Sequence, residues 1–366
     1  MQPVAVRILH PAPTEVGPLE RALLDARALN AERLARLFRE AGAEDVQRSQ
    51  HRADEPADAE MSFGARLRAE LAGVGDGGLV ILGSGAIPLA TLDDVRPFVE
   101  VAAAGGRRAL ANNRYSADIV AIGEVEAVRS VPDLPGDNAL PRWLDEVAGF
   151  EVSDLRSRWQ LAMDLDSPLD VVLIGGSLDD AIDGSSVRVA REGVRQMAAD
   201  RRAELVVAGR TSAATLAWLE SSTAARVRAL IEERGLRASS PEALGGAERQ
   251  HARRRPPRSI LGALLDDRGP EALGPSLAEL GDTAFVDTRV LLAHRLGVDE
   301  RTWPDAEDRF ASDLLLPERI RDPWLRDLTA SAREASIPIL LGGHSLVGPG
   351  IRLVLGDRPD ITGHPG

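Results

Sequence analysis

The sequence predicts an α/β protein with a three-layer α/β/α unit around a mainly parallel sheet, followed by a second α/β domain. Short apolar runs alternate with amphipathic helical stretches, which is the pattern of a parallel sheet covered by helices. The 366 residues exceed what one hydrophobic core usually serves. Because the alternation restarts after Gly175 and Gly176, we predict domains at residues 1–176 and 177–366.

The elements of the first half follow from apolar periodicity. Residues 47–60 are polar and are predicted to form a loop. Strands are predicted at 4–9, 78–82, 108–111, 119–122 and 161–165, and helices at 19–41, 63–71, 92–104, 141–148 and from 169 onward.

The second half gives a sparser prediction. We expect helices at 187–199, 213–219 and 260–265, and strands at 205–208, 284–286 and 337–341. Residues 237–258 contain Ser-Ser-Pro, Gly-Gly and Arg-Arg-Arg-Pro-Pro, so they are predicted to be a flexible surface connection.

Composition excludes several classes of chemistry. The chain has no cysteine, and all 44 of its basic residues are arginine, which excludes thiolate and zinc-ribbon sites and the lysine of a Walker A loop. The net charge of −13 argues against a nucleic-acid partner. The first residues do not have the pattern of a signal peptide, and no run of 18 apolar residues occurs. We therefore expect a cytoplasmic protein without a membrane partner; the oligomeric state is not predicted.

Asparagine marks a candidate polar site. Of four asparagines, three are Asn112, Asn113 and Asn138, and the single tyrosine is Tyr115. Their concentration in A-N-N-R-Y-S-A-D and P-G-D-N-A-L-P-R favours a binding site, although asparagine and aspartate also favour turns for purely structural reasons.

A pair of carboxylates follows in M-D-L-D-S-P-L-D. If residues 161–165 form a strand, Asp164 and Asp166 lie on the same side of it, where two hard oxygen ligands suit Mg²⁺ beside a phosphate. The structural alternative is that Asp166 or Ser167 caps the helix that begins at Pro168. Both roles fit the end of a strand in an α/β sheet.

These segments together resemble the nucleotidyltransferases of GT-A fold, the nucleotide-diphospho-sugar transferase fold. The nearest in style are the guanylyltransferases of molybdopterin dinucleotide and phospholactate (coenzyme F420) biosynthesis. Residues 136–140 are similar to the family's Gly-Thr-Asn-Ala-Leu segment, and residues 164–170 to its closing motif, with Val171 in place of Leu. The resemblance covers about residues 1–176. It implies Mg²⁺-dependent transfer of a nucleotidyl group from a nucleoside triphosphate to a phosphorylated small molecule.

The resemblance and the motifs together give the candidate site residues. Asp164, Asp166 and Arg114 are the expected catalytic residues, and Asp166 and Asp118 the expected metal ligands. The nucleotide or acceptor is expected to contact Gly83, Ser84, Gly85, Asn112, Asn113, Tyr115, Asp137, Asn138 and Arg142.

The chain also departs from the family. The segment from Leu9 to Glu15 is not the glycine-rich loop with Arg and Lys that holds the triphosphate, and Ala86 stands where the family has a metal-binding aspartate. Asp118 or Asp137 is the candidate replacement. The alternatives are therefore a non-catalytic nucleotide or small-ligand binding protein on a degenerate GT-A fold, or a main activity in the second half.

The second half has its own candidates at predicted strand ends. They are Gly209 to Ser212, Asp287 to Arg289 with His294, Glu307 to Asp313, and Gly342 to Ser345. Backbone N–H groups of the last segment suit an anion, but a glycine-rich bend without a ligand explains it nearly as well. For His344 a structural role is the favoured interpretation.

Overall fold

A computed structural model describes residues 2–11, 15–51, 62–134, 136–179, 182–232, 258–297 and 299–356. In these ranges the chain forms a mixed six-stranded sheet, a parallel four-stranded sheet and thirteen α-helices, so the predicted α/β class is confirmed. Residues 237–257 of the predicted flexible connection lie outside the described residues. None of the described helices is long and apolar enough to cross a membrane.

The first sheet has the order β2-β1-β3-β5-β4-β6. Its strands are β1 (Val4–Pro11), β2 (Asp45–His51), β3 (Gly78–Gly83), β4 (Arg108–Ala111), β5 (Ile119–Ile122) and β6 (Glu151–Asp154). β5 is antiparallel to both of its neighbours, and the other pairs are parallel. Five of the six strands therefore run in one direction, as predicted.

The second sheet is entirely parallel, with the order β10-β9-β7-β8. Its strands are β7 (Glu204–Gly209), β8 (Arg226–Ile231), β9 (Thr283–Asp287) and β10 (Ile339–Gly342).

The helices cover both sheets. The first half contains α1 (Pro18–Glu40), α2 (Phe63–Leu71), α3 (Leu92–Ala104), α4 (Leu140–Glu146) and α5 (Pro168–Ile174). The second half contains α6 (Ser185–Ala198), α7 (Ala213–Ser222), α8 (Ile260–Arg268), α9 (Leu273–Leu280), α10 (Thr288–Leu296), α11 (Ala306–Asp313), α12 (Pro323–Arg333) and α13 (Ile351–Leu355).

The first sheet is the middle layer of three. Along β3, Val80 and Leu82 belong to a core that contains residues of α1 and α3. Leu79 and Ile81 belong to a separate core that contains residues of α2 and α4. Because side chains alternate across a strand, each face of the sheet packs on its own pair of helices, and the predicted three-layer arrangement is confirmed.

A third core joins the two halves of the chain. Leu19 and Leu23 of α1 and Leu169 and Leu173 of α5 pack with the buried residues of the second sheet. The first turns of α1 thus pack in the core of the second sheet, while Leu34 and its neighbours pack against the first sheet. The hydrophobic core crosses residue 176, and a domain boundary at that residue stays a prediction.

Two predictions of local structure are wrong. Residues 161–165 do not form a strand: Trp159–Ala162 is a 3₁₀ turn, and a single antiparallel bridge joins Asp164 to Ala86. The polar segment predicted as a loop from residue 47 includes most of β2. β2, β6 and β8, which periodicity did not reveal, are all edge strands. β6 and β8 include exposed polar residues, so no clear apolar run marks them in the sequence.

Candidate functional site

The candidate site lies at the end of the first sheet where most of its parallel strands terminate. β1, β3 and β4 terminate at this end, and β5 begins there because it runs the opposite way. Four aspartates beside it form what we call the acidic cluster: Asp118 directly precedes β5, Asp137 lies in a 3₁₀ turn before α4, and Asp164 and Asp166 lie between β6 and α5. Repulsion from other members of the cluster contributes to the raised pKa values of Asp118, Asp137 and Asp164, so these carboxylates lie near one another.

Asp164 and Asp166 are positioned by a short extended segment. Leu165 donates its N–H to the Gly85 carbonyl at 3.0 Å. Met163 and Leu165 are buried in the core that includes the second sheet. Although the segment is not a regular strand, its side chains alternate as in one, and both carboxylates are left partly exposed on the side away from that core.

Gly85 allows this close approach. A Cβ atom at residue 85 would lie 2.8 Å from Asp164 Oδ1 and 3.0 Å from Arg27 Nε, so only glycine fits without a shift. Ala86, the residue at the family's metal-binding aspartate, is 1% exposed and packs in the core beneath the sheet. The backbone bridge pairs Ala86 with Asp164, and residue 85 has no room for a side chain beside the Asp164 carboxylate.

The loop after β3 is held by α1. Asn30 donates to the carbonyls of Ser84 and Ala86 at 2.9 and 3.0 Å, and Arg33 donates to those of Ile87 and Ala90 at 3.1 and 2.7 Å. Ile87 has a φ of +43°, which is costly for a β-branched residue. The buried hydrogen bonds from α1 maintain this strained backbone conformation beside the site.

Asn112 uses both of its side-chain polar atoms to fix Asp118. Its Nδ2 donates to Asp118 Oδ2 at 2.8 Å and to the Leu161 carbonyl at 2.9 Å, while its Oδ1 accepts from the N–H of Asp118 at 3.0 Å. Because both polar atoms are engaged and the residue is only 3% exposed, Asn112 acts as a positioning residue.

The acidic cluster is electrostatically strained. Burial raises the pKa of Asp118 to about 7, and the charges of Asp137 and Asp166 contribute to the rise. Burial, followed by the charges of Asp166 and Asp118, also raises the pKa of Asp164 well above its ordinary value. Closely spaced carboxylates with raised pKa values are typical of functional sites because a bound cation relieves their repulsion.

Asp166 is the member that stays ionised. Burial alone would raise the pKa of Asp166, but attraction to His344 and Arg27 and a hydrogen bond with Asp164 lower it. Burial lowers the pKa of the His344 imidazole, so Arg27 provides the permanent charge. His344 Nδ1 lies 3.5 Å from Asp166 Oδ2, and Arg27 Nη2 lies 3.5 Å from Asp166 Oδ1. Arg27 also donates from Nε to the Leu165 carbonyl at 2.7 Å, so α1 holds this segment directly.

The second sheet provides the opposite wall. Arg210 follows β7 and pairs with Asp287 through two hydrogen bonds of 2.6 and 3.1 Å, and Arg289 forms a similar pair with Asp313. His344 follows β10, and its side chain is 43% exposed, so it is not an internal structural histidine. That description fits His294, whose side chain is 2% exposed between the Ser259 N–H and the Asp266 carboxylate.

Two cavities lie beside the acidic cluster and share Asp118; Asp137 lines the smaller one, and Asp164 and Asp166 line neither. The smaller, of about 390 Å³, is lined by His10, Arg27, Phe63, Arg66, Gly83, Asp137 and Leu140 among others. The larger, of about 570 Å³, lies between the two sheets and is lined by Asn112, Asn113, Arg156, Trp159, Arg210, Ser212 and His344 among others. Cavities of this size suit small molecules.

Several predicted residues lie apart from these cavities. Arg114 forms an ion pair with Asp145, and Arg142 pairs with Glu146 on the exposed side of α4. Tyr115 is 44% exposed and lies between the guanidinium groups of Arg114 and Arg156. None of these predicted residues lines either cavity, because local ion pairs hold the arginines at the surface.

Two further predicted residues have local roles. The buried hydroxyl of Ser84 is 3.0 Å from His10 Nδ1, and this contact orients the end of β1 against the loop after β3. Asn138 Oδ1 is buried without a hydrogen-bond partner among the described residues. It lines neither cavity.

The periodicity of α1 contained a signal for two residues that the sequence prediction missed. Leu23, Arg27, Asn30 and Leu34 follow one another at helical spacing, so a cation and an amide interrupt an apolar face. Asn30 is the fourth asparagine of the chain. A polar pair on the buried side of a helix requires partners, and here they are in the site.

Among the described residues, no group of three or more acidic or histidine side chains is arranged to enclose a metal ion. No model of a known protein family matches the chain, and no curated protein sequence matches it. The resemblance to GT-A nucleotidyltransferases therefore depends on the quoted motifs, and the function has to be argued from the acidic cluster and its surroundings.

Proposed function

We propose that the cleft binds a Mg²⁺–nucleoside triphosphate complex and transfers the nucleotidyl group to a phosphorylated small molecule. The observation that carries this proposal is the acidic cluster, whose Asp118 lines both cavities, together with Arg27 and Arg66 on the smaller cavity and Arg210 on the larger one. Carboxylates that hold a cation beside positively charged groups that attract phosphate are the arrangement that phosphoryl chemistry requires.

The donor set fits Mg²⁺ bound together with a phosphate. Mg²⁺ commonly uses one or two protein carboxylates and completes its shell with phosphate oxygens and water, so a closed three-residue site is not needed. Asp164 and Asp166 would hold the ion, with Asp118 on the same side of the cleft. When bound, Mg²⁺ would neutralise charge on the phosphates; Arg27 orients Asp166, and Asn112 orients Asp118.

The smaller cavity suits the nucleoside. Phe63 and Leu140 provide apolar surface for a base, and Arg66 and Arg27 provide positive charge toward the phosphates. His10 contributes no charge at neutral pH, because burial and the nearby arginines lower the pKa of its imidazole.

The alternative function is nucleotide or small-ligand binding without catalysis. One observation favours it: the end of β1 presents a buried, uncharged His10 in place of a basic loop for the triphosphate. The two functions differ in their product. A transferase releases pyrophosphate from a nucleoside triphosphate in the presence of an acceptor, and a binding protein does not.

Asp166→Asn is the direct test. Calorimetric titration of the purified protein with nucleoside triphosphates is expected to show binding that Mg²⁺ strengthens, and the variant should lose this Mg²⁺ dependence because it lacks the ionised carboxylate. Asp145→Asn, the same change in an aspartate that pairs with Arg114 outside the acidic cluster, should bind like the wild type. Mg²⁺-dependent binding that survives in Asp166→Asn would remove Asp166 from the metal site.

A further inference from the structure

The larger cavity is built by both halves of the chain. Asn113, Arg156 and Trp159 line it from the first half, and Arg210, Ser212 and His344 line it from the second. Asp118 at its inner end also belongs to the smaller cavity. A molecule in the larger cavity would therefore lie beside a nucleotide bound in the smaller one, with Asp118 between them.

Positive side chains predominate in this cavity. Four arginines line it, against two aspartates. His344 also lines it but adds no charge at neutral pH, because burial lowers the pKa of its imidazole. Arg156 uses Nε for Asp154, at 2.8 Å, and its side chain is 53% exposed. Arg210 uses Nε and Nη2 for Asp287, so its guanidinium plane is fixed while Nη1 makes no hydrogen bond to the described residues. A fixed guanidinium group with a remaining donor is suited to a phosphate oxygen.

The start of α7 adds to this positive potential. Ser212 caps the helix by accepting from the Thr215 N–H at 3.0 Å, and Ala214 and Thr215 of the first turn line the cavity. The amino end of this ten-residue helix carries the positive end of the helix dipole. The helix end and the two arginines act on the same space.

We propose that the larger cavity is the acceptor site and binds a small phosphate monoester, with its phosphate between Arg156, Arg210 and the first turn of α7. The place of this ligand in the reaction rests on the proposed function. An oxygen of the monoester attacks the α-phosphorus of the nucleoside triphosphate, forming a P–O bond. The bond to the bridging oxygen of the β-phosphate breaks, and pyrophosphate leaves. The second half of the chain thereby supplies half of the acceptor site.

Inorganic phosphate is the simplest probe. Titration followed by tryptophan fluorescence, at constant ionic strength, is expected to saturate because Trp159 lines the cavity. Arg156→Gln should weaken phosphate binding about tenfold or more, which is typical for the loss of a charge-assisted hydrogen bond. Arg142→Gln removes an arginine outside the cavity and should bind phosphate like the wild type.

A second pair of variants tests the α7 wall without removing any contact. Ala214→Glu places a carboxylate in the cavity and should weaken phosphate binding at least tenfold, although a glutamate in the first turn favours the helix. Ala213→Glu makes the same change in the same turn at a residue that does not line the cavity, and should have a smaller effect.

The outcomes separate this inference from the proposed function. Phosphate binding that is absent, or that Arg156→Gln and Ala214→Glu do not weaken, would overturn the inference even if Mg²⁺–nucleotide binds. If phosphate binds and both variants weaken it while no nucleotide binds, the anion site stands and the nucleotidyltransferase proposal fails. Binding of both ligands to the wild type, with only phosphate binding weakened by the two variants, supports both.

Discussion

Replacing Asp118 with Asn is expected to stabilise the protein at alkaline pH while impairing nucleotidyl transfer. In the folded chain the pKa of Asp118 is about 7, against an ordinary value of 3.8. The asparagine keeps an oxygen that accepts the hydrogen bond from Asn112 Nδ2 but carries no charge to repel Asp137 and Asp166. The variant therefore removes the repulsion without removing the packing.

The sign and size of the effect follow from proton linkage. Below pH 3.8 the Asp118 carboxyl is protonated in both the folded and the unfolded chain and does not affect stability. Between pH 3.8 and about 7 the folded chain retains a proton that the unfolded chain has lost, so the free energy of unfolding falls as pH rises. The full difference between the folded and unfolded pKa values of Asp118 corresponds to roughly 4 kcal/mol of unfolding free energy. Because the cleft is open to solvent, we expect about 2 kcal/mol above pH 7.

Urea unfolding followed by circular dichroism at pH 4 and pH 8 measures this difference. Asp118→Asn should exceed the wild type by about 2 kcal/mol at pH 8 and match it at pH 4. Asp76→Asn, the same change at an exposed turn residue, should match the wild type at both. Turnover should fall before nucleotide binding does. A variant that is equally or less stable than the wild type at pH 8 would refute the account of a strained acidic cluster.

Two further substitutions test the supports of the site, each by urea unfolding at pH 7. Asn112→Ala should destabilise the protein by about 2 to 3 kcal/mol, because buried partners including the Asp118 N–H lose their hydrogen bonds; a loss below about 0.5 kcal/mol would contradict the positioning role. Asp287→Asn should cost about 3 to 5 kcal/mol, because the mostly buried Arg210 guanidinium loses its charge partner. Unchanged stability in Asp287→Asn would show that Arg210 has another partner.

Apolar periodicity predicted the central strands of the first sheet but missed several edge strands. The buried strands β3, β4 and β5 were predicted to within one residue, and so were the bounds of α2 and α3. β2, β6 and β8 were missed because they are edge strands, where polar residues are tolerated. Helices α9 to α13 were also missed; several are short, and the sequence alone does not show which faces their tertiary partners cover.

The candidate site was predictable from residue type but not from residue role. Asp118, Asp137, Asp164 and Asp166 were all among the expected site residues, and the electrostatic repulsion among them shows that they lie near one another. Asn112 was expected to contact a ligand, whereas its hydrogen bonds are all internal. Composition can identify an unusual concentration of polar residues, but only the tertiary structure shows which of them use their polar atoms internally. The approach of His344 to Asp166 spans nearly 180 residues of sequence, and no local pattern could reveal it.

Because α1 packs in the cores of both sheets, its burial depends on synthesis of both halves of the chain. Leu19 and Leu23, near the start of the helix, pack in a core completed by β9 and β10, the last of which ends at Gly342. During synthesis these leucines leave the ribosome early. They can be buried only after almost the whole chain has been synthesised. Apolar surface exposed for that interval favours aggregation and chaperone binding. A fragment ending at residue 176 would keep this exposure permanently, so we expect it to be recovered in soluble form only when the second half is co-expressed.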